Sequence, residues 1–386
     1  MRILYDARKI SPKSTGVGYV VKKLLEQLLT YKALEIIAFT SKGVKNIFDN
    51  PSQRSHLTIC ETNDDAEYFG LKRIFFEQTE IPKLIDTYKP TILHLTNGFG
   101  VPLLIDKNTK IVLTIHDLIP FTQYKELMSP LHNFIFKTLF SYGIKKADAI
   151  VAVSQFTARD VAQYFPNAKK AEIAYNGIDP FPRINNSNEI WSNLQKKYRI
   201  NQEFILYIGG FAPRKNVLNL LESYRELIKE KKYKYQLLLC GKFTNNKDIK
   251  DQLDKINLFT TSHNLQKKVR LIGYLSKEEK YVLLSQSKFF VYLSLYEGFG
   301  LPVLEALSTG TPTITTKNSV MEEVAQKYSL YIDAQNTNDI LDKMMLMLSK
   351  YEVYKNLALR AAKELLPTYN WKSAGEKYYQ IYKNLL

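Results

Sequence analysis

The sequence predicts an α/β protein built from two doubly wound parallel sheets. Three observations point there. Short apolar runs alternate with longer helical patterns along the whole chain, the signature of βαβ units. Several of those runs end on a polar or ionisable residue, as strands do when their carboxyl ends border a ligand crevice. At 386 residues, the chain exceeds what one hydrophobic core usually fills, so two domains are expected. Hydrophobic residues at 45% and charged residues at 24% suit a globular protein and exclude a disordered one.

In the first half, expected as a domain over 1–182, the strands fall at 2–6, 36–40, 92–94, 110–116 and 149–154. Their ends make Asp6, His94, His116, Asp117 and Ser154 crevice candidates. Ser14-Thr15-Gly16-Val17-Gly18 follows the first strand and precedes a helical run, the layout of a phosphate-cradling loop. It is not the dinucleotide fingerprint, because Val21 stands where the third glycine of Gly-x-Gly-x-x-Gly belongs, and a plain tight turn explains it as well. His116-Asp117 closes an apolar strand; that histidine could orient a substrate hydroxyl or titrate near neutrality, or could be structural.

Asp179-Pro180-Phe181-Pro182-Arg183 and Asn185-Asn186-Ser187-Asn188 break the rhythm, so 183–200 reads as an interdomain linker. The second domain, 201–368, repeats the pattern, with strands at 204–208, 236–240, 269–272, 289–293 and 313–315 and helices at 216–230, 276–285 and 301–307. Trp371, Ala374, Tyr378, Ile381 or Tyr382, and Leu385 then recur at helical spacing, predicting an amphipathic terminal helix over 370–386 packed as core.

Two stretches of the second half carry the chemistry. Pro213-Arg214-Lys215-Asn216 opens a helix after that half's first strand. Two cations at a helix start oppose the dipole, and an anion between them resolves the conflict; a forked guanidinium beside a point charge suits a diphosphate. In Glu297-Gly298-Phe299-Gly300-Leu301-Pro302, followed by Glu305, glycines permit close backbone approach to a ligand and Pro302 suits a first helical turn. Eight helical steps between the glutamates would span about 12 Å, too far for an acid/base pair but suited to two ends of an elongated ligand. Taken alone, Glu297 reads equally as a solvated loop charge and Glu305 as a carboxylate favoured by the helix dipole.

The net charge of +16, from 54 Lys and Arg against 38 Asp and Glu, implies attraction to nucleic acid, an anionic membrane face or phosphorylated substrates, or simply a lysine-rich solvated surface. Basic pairs such as Lys22-Lys23, Lys72-Arg73 and Lys145-Lys146 are scattered, without a nucleic-acid-binding signature. Cys60 and Cys240 belong to no disulfide or metal pattern, and neither an Asp-x-Asp nor a histidine cluster is present, so neither a metal site nor a cofactor is expected. The first charge comes too early for a signal peptide, and no apolar run approaches a membrane span, which leads to the expectation of a reducing, cytoplasmic setting.

Taken in order, Gly16-Val17-Gly18, His116-Asp117, Asn176-Gly177-Ile178-Asp179, Pro213-Arg214-Lys215-Asn216, Leu271-Ile272-Gly273-Tyr274, Glu297 through Glu305-Ala306, and Trp371 to Tyr382 resemble the retaining nucleotide-sugar glycosyltransferases of family 4 over essentially the whole chain. The resemblance implies the glycosyltransferase B fold: an acceptor-binding N-terminal domain and a donor-binding C-terminal domain facing a central cleft, with 369–386 crossing back to the first. It implies that Glu297 holds the transferred sugar, Glu305 the ribose, and Arg214 and Lys215 the diphosphate. Gly273 and Tyr274 would meet the base, and Gly298, Phe299, Gly300 and Leu301 would line the donor. His116 would sit beside the reacting centre, and Gly16 and Gly18 near the phosphates. The implied activity is hexose transfer, best read as mannose from GDP-mannose, to a lipid-linked or surface-polysaccharide glycan of lipopolysaccharide, O-antigen or capsule type. An anionic membrane surface is a further expected partner; nucleic acid is not. Alternatives are transfer from UDP-glucose, UDP-GlcNAc, UDP-galactose or dTDP-rhamnose, a sugar-nucleotide epimerase, and a basic nucleic-acid binder. One departure is Met321, standing where many members carry a proline ahead of the residues here numbered Glu322 and Glu323.

Overall fold

Runs apolar at every position, such as Ile3-Leu4-Tyr5 and Leu237-Leu238-Leu239, can satisfy both their backbone and their side chains only in strands covered on two faces. The computed structural model places them so, with all six residues fully buried. It describes residues 1–11, 14, 16–44, 56–62, 71–124, 130–181, 186–229, 234–244 and 246–386. The chain divides into two compact units, Met1–Gly177 with Tyr369–Leu386, and Ile178–Thr368.

The first unit runs β1 (Arg2–Asp6), α1 (Val17–Leu28), β2 (Glu35–Ser41), β3 (Leu57–Thr62), α2 (Leu71–Tyr88), β4 (Ile92–Leu95), β5 (Lys110–Ile115), α3 (Pro130–Lys146), β6 (Ala149–Ala152), α4 (Gln155–Tyr164) and β7 (Glu172–Ile173). The strands form one parallel sheet in the order β3-β2-β1-β4-β5-β6-β7, so the winding reverses between β1 and β4. Side chains alternate across it with period two. Ile3 and Tyr5 join a core cluster with Val21, Leu24 and Leu25 of α1. Leu4 faces the other way, into a cluster with Phe76 and Ile85 of α2 and Phe140 of α3.

The second unit runs α5 (Ser187–Tyr198), β8 (Phe204–Ile208), α6 (Val217–Lys229), β9 (Gln236–Cys240), α7 (Lys247–Ser262), β10 (Val269–Ile272), α8 (Lys277–Gln286), β11 (Phe289–Tyr292), α9 (Leu301–Ser308), β12 (Thr313–Thr316), α10 (Val320–Ala325), β13 (Leu330–Ile332), α11 (Thr337–Ser349) and α12 (Tyr351–Glu364). Its parallel sheet is ordered β10-β9-β8-β11-β12-β13, with the winding reversed between β8 and β11. The terminal helix α13 (Trp371–Leu385) belongs to the first unit, where Tyr378, Ile381 and Tyr382 complete the α1 side of the core. Gly177 permits this, because a Cβ there would lie 2.4 Å from the Trp371 nitrogen.

The expectation of an irregular linker over 183–200 is corrected by α5, whose Leu194 is buried and whose Trp191 ring stacks against Phe204 at 5.8 Å. Arg183, Ile184 and Asn185 of that stretch, and Pro182 before it, lie outside the described residues. Strands β3, β7 and β13, not expected from the sequence, are all edge strands; β3 and β7 are half-buried and mix polar with apolar residues, and β13 is only three residues long.

Candidate active site

In an open α/β sheet the crevice opens where the winding reverses, outside the carboxyl ends of the two strands flanking that point. In the second unit those strands are β8 and β11, and the segments leaving them carry Arg214, Lys215 and Glu297. After β8, Pro213–Lys215 forms a 3-10 turn; Asn216 ends it in the left-handed region at φ 59° and starts α6. After β11, the Leu295 N–H donates to the Arg214 carbonyl at 2.8 Å, joining the two loops through their backbones.

Glu297 is the centre of this cluster. Its Oε1 accepts from Arg214 Nη1 at 2.8 Å, Ser294 Oγ at 2.6 Å, Tyr292 OH at 3.1 Å and, closest of all, Lys215 Nζ. Oε2 takes none of these bonds. Lys215 Nζ also donates to Tyr292 OH at 2.6 Å, and Arg214 Nη1 to the Tyr296 carbonyl at 3.0 Å. Burial by itself would raise the Glu297 carboxyl; the Arg214 and Lys215 charges outweigh it and hold the group down at about 2. Burial, reinforced by the Glu297 charge, pushes the Tyr292 hydroxyl well above its ordinary value, so it remains a neutral donor. Tyr292, Ser294 and Glu297 are spaced as one exit from β11. The tyrosine and serine carry no local mark of a role in the sequence; their signal is their position at and just beyond the strand end.

Gly300 begins α9 at φ 99°, with Pro302 in the first turn. A Cβ on Gly300 would lie 2.6 Å from Met321 Sδ, so the methionine fills the space beneath the glycine turn. The departure at Met321 leaves that region regular: its N–H is capped by Ser319 Oγ at 3.2 Å, a bond a proline could not make. Gly298 and Phe299 are buried and Leu301 is half-buried. Glu305, one turn into α9, pairs through Oε1 with Lys280 Nζ of α8, a partner sequence reasoning missed. Gly273 follows β10, and Tyr274 beyond it is exposed. The ring of Phe243, after β9, is the nearest neighbour a Cβ on Gly273 would meet, at 3.7 Å.

The remaining expected residues lie in the first unit. Gly16 caps α1 at φ 56°, and Gly18 is obligatory, since a Cβ there would stand 2.2 Å from the Lys9 carbonyl oxygen. Thr15 lies outside the described residues. His116 follows β5, with Nε2 at 2.8 Å from the Thr96 carbonyl. Nε2 must donate there, so the neutral ring leaves Nδ1 as an acceptor. Burial lowers its pKa to about 4 despite that bond, so His116 is uncharged at neutral pH.

Four other crevice candidates are structural. His94 is fully buried, its Nδ1 accepting from Tyr382 OH at 2.6 Å and its Nε2 meeting Thr114 Oγ1 at 2.8 Å, which fastens α13 to the sheet. Asp6 is paired with Arg8 at 2.7 Å in a buried group that includes Glu77 and Arg73; burial opposes its ionised form, and Arg8 overcomes that to lower its pKa. Ser154 caps α4 and Asp117 accepts the Ile119 N–H at 3.1 Å. Among the described residues no three His, Cys, Asp or Glu side chains are grouped to hold a metal, and no helix is long and apolar enough to cross a membrane.

With this geometry in place, the sequence matches the family of glycosyl transferases group 1 over residues 192–364 and Glycosyltransferase Family 4 over residues 14–180. It is 25% identical over 404 aligned positions to the O-antigen chain mannosyltransferase B of Escherichia coli, covering 100% of both chains. The fold is similar to that of sucrose-phosphate synthase from Thermosynechococcus elongatus, with a TM-score of 0.79 and 18% identity over 100% of this chain and 98% of that one. It is also similar to Anabaena Alr3699/HepE, solved in complex with UDP-glucose, with a TM-score of 0.72 and 14% identity over 100% of both chains.

Proposed function

The chain belongs to the family 4 glycosyltransferases, and from that premise we propose that it moves mannose from GDP-mannose, with retention of anomeric configuration, to a lipid-linked or surface-polysaccharide glycan. The observation that carries the reading is the Arg214–Lys215–Glu297 cluster at the β8/β11 reversal. It combines two cations suited to a diphosphate with a carboxylate whose Oε2 remains available to sugar hydroxyls. The choice of mannose is supported by the full-length similarity to the E. coli O-antigen mannosyltransferase, and that of a nucleotide-sugar donor by the UDP-glucose complex of the Anabaena protein.

As the glycosidic bond to phosphate breaks, the nucleoside diphosphate gains negative charge and the anomeric carbon becomes cation-like. Fixed positive groups aimed at that developing charge lower the barrier. Arg214 and Lys215 serve the leaving group, while Glu297, ionised throughout the neutral range, holds the sugar. Glu305 takes the ribose, Gly273 and Tyr274 the base, and the backbone around Gly16, Gly18 and Gly298–Leu301 the phosphates and sugar. Neutral His116 accepts a sugar hydroxyl through Nδ1 instead of acting as a cation. With no carboxylate assigned as nucleophile, the departing phosphate oxygen takes the acceptor proton as the acceptor oxygen attacks from the same face. Charge neutralisation by Arg214 and Lys215 makes the proposed reaction independent of a metal.

The test is a donor panel of GDP-mannose, UDP-glucose, UDP-GlcNAc, UDP-galactose and dTDP-rhamnose with lipid-linked glycan acceptors, following nucleoside diphosphate release and the anomeric configuration of the product. Acceptor-dependent GDP release with a retained anomer is expected. Release from another donor alone overturns the choice of mannose, and release from none overturns transfer.

A further inference from the structure

We propose that one face of the first unit, formed by α2, α3 and the loop between β4 and β5, docks onto an anionic lipid bilayer. Five large apolar side chains stand out there: Phe75 on α2 is 68% exposed, Leu103 and Leu104 in the loop 55% and 84%, and Leu131 and Phe134 on α3 67% and 69%. They form one surface because hydrogen bonds join the three segments. Gln78, one turn beyond Phe75, accepts the Leu103 N–H at 2.8 Å, and Tyr142 of α3 donates to the Leu103 carbonyl at 3.0 Å.

On α3, Leu131, Phe134, Thr138, Tyr142 and Lys145 fall along one stripe of a 3.6-residue period, so the helix presents its apolar residues and a lysine to the same side. The inner side of α3 is already satisfied, with Phe140 and Ile144 buried in the core. Apolar groups exposed together on a soluble protein mark an interaction site. The charge identifies the partner. Helix α3 carries Lys137, Lys145 and Lys146 and no aspartate or glutamate, and Lys145 and Lys146 are exposed. Apolar insertion beside lysines is the pattern that binds anionic lipid, and the same charge disfavours pairing this face with its own copy. The surface serves the proposed transfer to a lipid-linked glycan, and in that sense rests on it, but lipid binding is measurable without donor or acceptor.

The experiment is flotation of the full chain with phosphatidylcholine vesicles, with and without phosphatidylglycerol. Binding is expected only with the anionic lipid and should weaken with salt. Leu104→Ser and Phe134→Ser should each lower the partition roughly ten-fold, and Lys145→Glu with Lys146→Glu roughly five-fold per residue or more. All should leave thermal unfolding and GDP release in detergent unchanged. Leu258→Ser, an equally exposed position on α7 at 70%, should change nothing. Absence of flotation, or an equal loss in Leu258→Ser, overturns the assignment while leaving the transferase reading standing. Self-association abolished by Phe134→Ser without vesicle binding reassigns the face to a second copy.

Discussion

Glu297→Gln removes the charge that balances Arg214 and Lys215 while keeping the side chain's shape. The Glu297 carboxyl titrates at about 2 in place of 4.5; at about 1.4 kcal/mol per pH unit, this corresponds to roughly 3 kcal/mol favouring the ionised form in the folded protein. The three side chains are 16%, 18% and 10% exposed, so solvent screens the interaction only in part. Unfolding in urea at neutral pH should therefore cost about 2–3 kcal/mol less in the variant, a loss that a domain stable by about 5–15 kcal/mol survives. Because the folded value is depressed, the contribution is complete above the unfolded value of 4.5 and disappears as pH falls toward 2, so wild type and variant should converge over that window. The functional effects run in opposite directions. Arg214 and Lys215, relieved of the carboxylate, should bind a nucleoside diphosphate about ten-fold more tightly by calorimetry. Turnover, deprived of the group proposed to position the sugar, should fall about a hundred-fold. Diphosphate affinity that fell in step with turnover would refute the competition between Glu297 and the diphosphate for the same two cations.

Four further substitutions test other parts of the structure. His116, held at about 4 by burial, should stay neutral through pH 5–8 in an NMR titration, and the loss of turnover in His116→Gln should be the same factor above and below pH 6.5. Its stabilising effect as a neutral group is complete above 6.5 and lost as pH falls through about 4, so acid unfolding should begin earlier in the wild type than in the variant. His94→Leu strands the buried Tyr382 hydroxyl and should cost about 2–3 kcal/mol in thermal unfolding, without altering GDP release. Gly300→Ala forces a Cβ onto a backbone at φ 99° and 2.6 Å from Met321 Sδ, costing about 1–3 kcal/mol; adding Met321→Ala should recover only the contact part in urea unfolding.

The central strands were legible because complete burial requires apolar runs, and β1, β8 and β9 are built around such runs. The edge strands β3, β7 and β13 were not, since one open side removes that requirement. The helix α5 was hidden by the proline- and asparagine-rich residues before it, which suggested a linker although Leu194 sits in a regular helical turn. Within the candidate site, the need of Arg214, Lys215 and Glu297 for an ionic partner was legible through their own chemistry: adjacent cations at a helix start and a carboxylate in a glycine turn call for one. Lys280 and Ser294 carried no such local oddity. His94 and His116 both end or follow a strand and look alike in sequence, yet one is sealed beneath α13 and the other keeps a ring nitrogen unpaired.

By itself the sequence determined the alternation of strands and helices and the residue types suited to the proposed diphosphate and sugar, because these depend on local periodicity and on functional groups. Only the tertiary structure decided which of those groups meet. The order β10-β9-β8-β11-β12-β13 makes β8 and β11 neighbours although two strands intervene in the chain, and so brings Glu297 to Arg214 and Lys215 across more than eighty residues. Sheet order is fixed by packing over the whole unit, and no short stretch of sequence encodes it.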